Sequence, residues 1–279
     1  MKINTKHEVS LLGVPLDFNS SYLRGAAEGP AAVREALRCS SSNSSSEDGR
    51  DIVPLVQDAG DVQADEVNWM DAIRQWVSKL LQAGALPLVI GGDHSISYPV
   101  VRAVAAHYPN LTILHFDAHP DLYEDFNGNR LSHACPFARI MEDRHARRLV
   151  QVGIRTMNTR LLAQVHRFGV QVIEMKDWRG TLPHLDSPIY VSFDLDVLDP
   201  AFAPGISHYE PGGMSTREAI AAIQSISANI VAADVVELNP QRDVNGVTAM
   251  VAARIVKELA AKMLPAVPTI SRPTRATSS

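Results

Sequence analysis

The chain has 279 residues, 46% hydrophobic and 20% charged, with a formal net charge of −5 when its ten histidines are neutral, enough for a sizeable core in one large α/β domain or two smaller ones. Its 26 Lys and Arg form neither a block nor a stripe interleaved with aromatics, which argues against nucleic acid as a partner. Cys39 and Cys135 match no metal or redox spacing and read as reduced thiols; the opening "MKINTKHEVSLLGVPLDF" has too short an apolar run for a signal peptide or a membrane span, so the expectation is a cytoplasmic protein without membrane contact.

In chain order, "EVSLLGV" predicts a strand and Pro30 to Leu37 a helix. The polar "CSSSNSSSEDGR" (39–50) reads as a solvent-exposed loop. A helix over Val67 to Gln82 precedes the strand "LPLVIGG", and a helix over Tyr98 to His107 precedes "LTILHFD". Cys135 to Arg144 is helical in period, followed by the strand "RLVQVGI", a helix over Thr159 to Arg167 and the strands "VQVIEM" and "IYVSFDLD". Ser215, three residues before Glu218, opens a helix running to Ser225 as a capping box. The strand "IVAADVVEL" and a helix over Thr248 to Lys262 complete the ordered region. The tail 265–279 holds three prolines without periodicity and reads as disordered. Seven strands alternating with helices indicate a buried, mostly parallel sheet.

Buried parallel strands should be apolar throughout, yet four of these turn acidic at their C-terminal ends, where open α/β sheets place their ligand crevice. "LVIGGDHS" supplies Asp93 and His94; "HFDAHPDLY" supplies Asp117, His119 and Asp121; "YVSFDLDVLDP" supplies Asp194 and Asp196; "VVELNPQRD" supplies Glu237. Strand alternation puts Asp117, His119 and, if the extended backbone continues past Pro120, Asp121 on one side, as it does Asp194 with Asp196. A lone GGDH turn is more often a cap than a ligand, but caps do not explain three separate strand ends. Four carboxylates and two imidazoles in one crevice repel one another unless cations lie among them. The set exceeds one tetrahedral zinc site and suits two ions sharing carboxylates. Oxygen-rich ligation without thiolate favours Mn²⁺.

"GGDHS", "DAHPD" and "SFDLDVLDPAFAPG" resemble, in order and spacing, the metal-binding signatures of the ureohydrolase (arginase and agmatinase) family. "GVPLDFNSSYLRGAAEGPAAVREAL", "CSSSNSSSEDGR", "FNGNRLSHACPFARIME", "RRLVQVGIR" and "DVVELNPQRDVNGVTAMVAAR" look like the plant-type arginases in particular, so the resemblance reaches to about Lys262. It implies a three-layer αβα sandwich with a mostly parallel, doubly wound eight-strand sheet, one catalytic domain over 1–264, and assembly into homotrimers or homohexamers. It assigns one Mn²⁺ to His94, Asp117, Asp121 and Asp194 and a second to His119, Asp117, Asp194 and Asp196. Two dications lower the pKa of a bridging water, so that hydroxide is available to a guanidinium carbon. Glu237 would grip the guanidinium by bidentate hydrogen bonds, the bland alternative being a salt bridge with Arg242. His133 matches the proton-shuttling histidine of the family.

L-Arginine, cleaved to ornithine and urea, is the favoured substrate, ahead of agmatine, cleaved to putrescine and urea, and of other guanidino compounds. Tyr123 and Asn129 fall where animal-type relatives read the α-carboxylate, and Asn158 where they read the α-amino group. Asn43 or its serine neighbours are expected to reach a crevice mouth, of this subunit or an adjacent one. A single-zinc deacetylase and a non-catalytic, metal-stabilised subunit are the readings from other classes.

Overall fold

The computed structural model describes residues 8–265; the tail reading therefore lies, from residue 266 onward, outside the described residues. Eight strands form one sheet: β1 (Val9–Val14), β2 (Val56–Asp61), β3 (Leu86–Gly91), β4 (Thr112–Phe116), β5 (Arg148–Ile154), β6 (Gln171–Glu174), β7 (Ile189–Asp194) and β8 (Ile230–Val236). All pairings are parallel, in the order β2-β1-β3-β8-β7-β4-β5-β6. Seven of the strands fall where the apolar runs predict them. β2 was not expected, because "VQDAGD" is too polar to resemble a buried strand. It is an edge strand whose Asp58 and Asp61 are paired with Arg34 at 3.0 and 2.6 Å, the charged decoration that keeps a sheet edge from pairing further.

The sheet is covered on both faces. Helices α1 (Gly29–Arg38), α6 (Thr216–Ser225) and α7 (Val247–Met263) press Val33, Ile220, Ile223, Ile255 and Leu259 into one apolar layer with Leu88, Phe116 and Phe193. Helices α2 (Trp69–Gln82), α3 (Ser97–His107), α4 (Pro136–Glu142) and α5 (Thr159–Phe168) close the other with Ile73, Val77, Val100, Phe137 and Leu161. Each fully buried large apolar side chain contributes about 1.5–3 kcal/mol, which is why β1, β4, β7 and β8, buried at every position, anchor the three layers. The expected capping box at Ser215 and Glu218 is present.

A buried carboxylate ties this core together. Asp234 of β8 is fully buried and accepts from Ser97 Oγ at 2.5 Å, Ser192 Oγ at 2.7 Å and the Tyr190 hydroxyl, three donors that offset its desolvation. It links β7, β8 and α3 beneath the crevice.

Candidate metal centre and substrate crevice

The four acidic strand ends belong to β3, β8, β7 and β4, which are adjacent in the sheet, so their C-terminal loops converge on one crevice. They do not converge by strand alternation. β4 stops at Phe116 and β7 at Asp194; Asp121 has φ 50°, outside any extended conformation, and Asp196 lies in a short 3₁₀ turn, Leu195–Val197. Tight turns fold the carboxylates back toward one another. At Gly92 the turn admits no side chain: a Cβ there would lie 1.8 Å from the Leu16 carbonyl oxygen. The close approach sets where His94 begins its own turn.

His94 is fully buried. Its Nε2 lies 2.9 Å from Ser192 Oγ, which donates its own proton to Asp234, so the serine oxygen accepts from Nε2–H. Nδ1 then faces Asp194 Oδ2 at 3.0 Å, Asp121 Oδ2 at 3.1 Å and Asp117 Oδ2 at 3.2 Å, and has no hydrogen-bond partner among the described residues. An imidazole lone pair ringed by three carboxylate oxygens is repulsive unless a cation lies between them. The second pole is His119, whose Nδ1 is 2.8 Å from Asp196 Oδ2 and 3.4 Å from Asp117 Oδ1. Asp117 thus turns one oxygen to each imidazole. Asp194 directs Oδ2 to His94 and accepts the Asp196 amide on Oδ1.

Protonation follows this crowding. Burial works to raise the Asp117 pKa, but His115, His119 and His94 hold it well below the carboxylate range. Burial, then Asp196 and Asp117, push Asp194 well above that range. Asp196 is pushed to about 6 by burial and Asp117, against the opposing pull of His119. Without added positive charge the carboxylates cannot all ionise; the donor set fits hard divalent cations.

His115 was overlooked in sequence because it sits inside the apolar run of β4. Its Nε2 is 2.7 Å from Asp117 Oδ2 and could be mistaken for a further ligand. Gln151 Nε2 donates to Pro120 O at 2.6 Å, which fixes the amide orientation, and to His115 Nδ1 at 3.0 Å. The His115 proton is therefore on Nε2 and points at Asp117: this imidazole holds the Asp117 carboxylate in place.

Glu237, at φ 66°, sits just past β8. Its Oε1 already accepts from the His94 amide at 2.9 Å and pairs with His133 Nδ1 at 2.8 Å, whereas the buried Oε2 has no partner among the described residues. The partner of Glu237 is thus His133; Arg242 instead lies over the Tyr209 ring. On its other side His133 Nε2 is 2.8 Å from Ser21 Oγ and accepts from the Ser21 amide at 3.2 Å. Ser21 offers one nitrogen both an acceptor and a donor, so the imidazole is held in either protonation state. Nothing local in "FNSSYL" signals this; the contact joins residues 112 positions apart.

These side chains line a cavity of about 160 Å³ that also includes Tyr123, Phe126, Leu161 and His208. Of the residues expected at the substrate's far end, Tyr123 lines it. Asn158 caps α5 by accepting from Leu161 N at 3.0 Å and donates to the Tyr123 hydroxyl at 2.6 Å; it supports the wall from outside. Asn129 is exposed, 3.3 Å from Asn19 Oδ1, and is not in the lining. Asn43 is a correction for this chain's own crevice. Its loop leaves the far end of α1, at the opposite edge of the sheet, where Lys257 Nζ binds the Asn43 carbonyl at 2.7 Å. His208 was missed; its ring centroid is 5.0 Å from that of His133.

The model of the Arginase family matches residues 7–261. The chain is 49% identical to "Arginase 1, mitochondrial" of Arabidopsis thaliana, over 92% of this chain and 82% of the relative. It is 36% identical to "Agmatinase" of Bacillus anthracis over 90% of each. Among solved structures it superposes on "Arginase from Medicago truncatula" with a TM-score of 0.88 and 47% identity, covering 92% of this chain and 88% of that one. The cytoplasmic expectation is corrected by the same comparison: the Arabidopsis relative is designated mitochondrial. The short apolar run of the opening stretch carries no information on organelle import.

Proposed function

The chain belongs to the arginase family, and from that premise we propose that it hydrolyses L-arginine to ornithine and urea with two Mn²⁺ per chain. One ion would be held by His94, Asp117, Asp121 and Asp194, the other by His119, Asp117, Asp194 and Asp196. When bound, such a pair of dications supplies hydroxide at neutral pH by lowering the pKa of water between them. The observation that carries the reading is Glu237 Oε2, a buried acceptor without a partner beside that cluster. A guanidinium N–H fits it, and the charge-assisted bond orients the planar group with its carbon toward the carboxylate cage.

His133 carries the proton chemistry. It holds a proton between Glu237 and Ser21 and delivers it to the departing amine nitrogen, so that ornithine leaves as a neutral amine. Tyr123, steadied by Asn158, walls the mouth that receives the rest of the substrate. Arginine is preferred over agmatine because identity to the Arabidopsis arginase, 49%, exceeds that to the Bacillus agmatinase, 36%. Residues 1–264 act as one catalytic domain, and homotrimers or homohexamers are the proposed assembly. The test is product analysis with the manganese-loaded protein: urea and ornithine in equal amounts from L-arginine support the reading, and putrescine from agmatine as the faster product overturns the substrate assignment.

A further inference from the structure

A second concavity lies at the edge of the sheet opposite the crevice, where α3 ends and β4 and β5 begin. Its volume is about 700 Å³, and the residues around it include Arg74, Arg102, Arg144, Arg147 and His145 but no Asp or Glu. In a chain of net charge −5 this is a local reversal of sign. Arg147 is 3.5 Å from Asp186 and Arg74 is 3.3 Å from Asp71, with both acids about half or more exposed. The Arg102 and Arg144 side chains form no ion pair among the described residues. The nearby Asp143 is held by the Tyr98 hydroxyl at 2.6 Å and lies 3.7 Å from His145 Nε2. That imidazole nitrogen is buried without a hydrogen-bond partner among the described residues.

The backbone adds an independent observation. Arg144 follows the C-terminus of α4 at φ 57°, a left-handed position where glycine is the favoured residue. Arg144, which lines the groove, holds that conformation at a cost that a glycine would avoid. The floor is small and apolar, with Ala103, Ala106 and Ala146 beside Tyr108. Four guanidiniums around a shallow apolar floor suit a compact, multiply charged phosphate ester more than a single carboxylate.

We propose that this groove binds a polyphosphate-bearing small molecule, with Arg102 and Arg144 as its principal contacts. The proposal is independent of the reaction in the crevice, which lies across a strand length of roughly 16 Å. Sodium tripolyphosphate and ATP are the probes, titrated calorimetrically into the manganese-loaded chain alongside Arg102→Gln and Arg144→Gly, with sodium sulfate at matched ionic strength as control. The glycine variant suits its backbone position, so misfolding does not confound it. One tripolyphosphate per chain, weakened tenfold or more in each variant and not mimicked by sulfate, supports the site; stronger binding of ATP adds a nucleoside contact with the apolar floor. Urea release without probe should match the unaltered chain in both variants. Equal binding by variants and parent, as chelation of manganese would give, overturns the proposal. So does a change of oligomeric state in sedimentation without a change in binding, which would make the groove an interface between copies of the chain.

Discussion

Replacing Glu237 with Gln removes the charge that keeps His133 protonated while preserving side-chain length. In the metal-free protein, burial works to lower the His133 pKa, but the Glu237 carboxylate at 2.8 Å, with Asp93 and Asp121 adding to it, outweighs burial and carries the value to about 9. The interval from the ordinary 6.5 to about 9, at ~1.4 kcal/mol per pH unit, corresponds to roughly 3 kcal/mol. A raised folded-state pKa stabilises fully below about pH 6.5, and that stabilisation is lost as the pH climbs through about 9. Denaturant unfolding of the metal-stripped protein at pH 7 and pH 9.5 should therefore show the unaltered chain losing roughly 2–3 kcal/mol more than Glu237→Gln. Comparing the two proteins cancels the titration of the other histidines, and the window stays above Asp93, which burial and Glu237 push to about 6. Imidazole NMR should place the His133 midpoint near 9 in the parent and clearly lower in the variant, where Asp93 and Asp121 alone oppose burial. Parallel pH dependence in the two proteins, or a parent His133 that titrates near 6.5, would refute the ion-pair reasoning.

Asp194→Ala should lose both ions together, because Asp194 serves both proposed metal positions; metal analysis after reconstitution should fall from two Mn²⁺ per chain to near none, and an unchanged ratio would remove the shared role. Asn158→Ala deletes a helix cap worth about 1 kcal/mol and frees the Tyr123 hydroxyl, so Tm should fall slightly and KM for arginine should rise more than kcat falls; an unaltered KM would detach Tyr123 from substrate. Gly92→Ala forces a Cβ against the Leu16 carbonyl, which as backbone cannot yield, and should cost more than ~3 kcal/mol, read as a collapse in soluble yield or Tm. His133→Asn should retain both ions yet lower kcat about 10²- to 10⁴-fold, and normal turnover would end its role as proton carrier.

The chemistry was legible in sequence where it interrupts an apolar pattern. Charged residues directly after "LVIGG", "LTILHF" and "YVSF" stand out because a buried strand has no other reason to end in them. Three kinds of residue escaped that logic. β2 is polar because it lies at an edge, so its sequence resembles a loop. His115 is masked by its apolar neighbours, and only the hydrogen bond from Gln151 of the adjacent strand distinguishes an orienting imidazole from a ligand. Ser21 and His208 gain their meaning from loops that meet in space, and local pattern carries no trace of that meeting. For this chain's own crevice Asn43 misleads in the opposite direction: its loop has a distinctive composition, but the helix before it runs away from the crevice and delivers it to the other end of the sheet.

A two-ion cage that releases urea from arginine ties activity to metal stoichiometry. Urea release from L-arginine, followed while Mn²⁺ is titrated into metal-stripped protein, should rise with binding and level off at two ions per chain. Full activity at one ion per chain, or no urea with two bound, would contradict it.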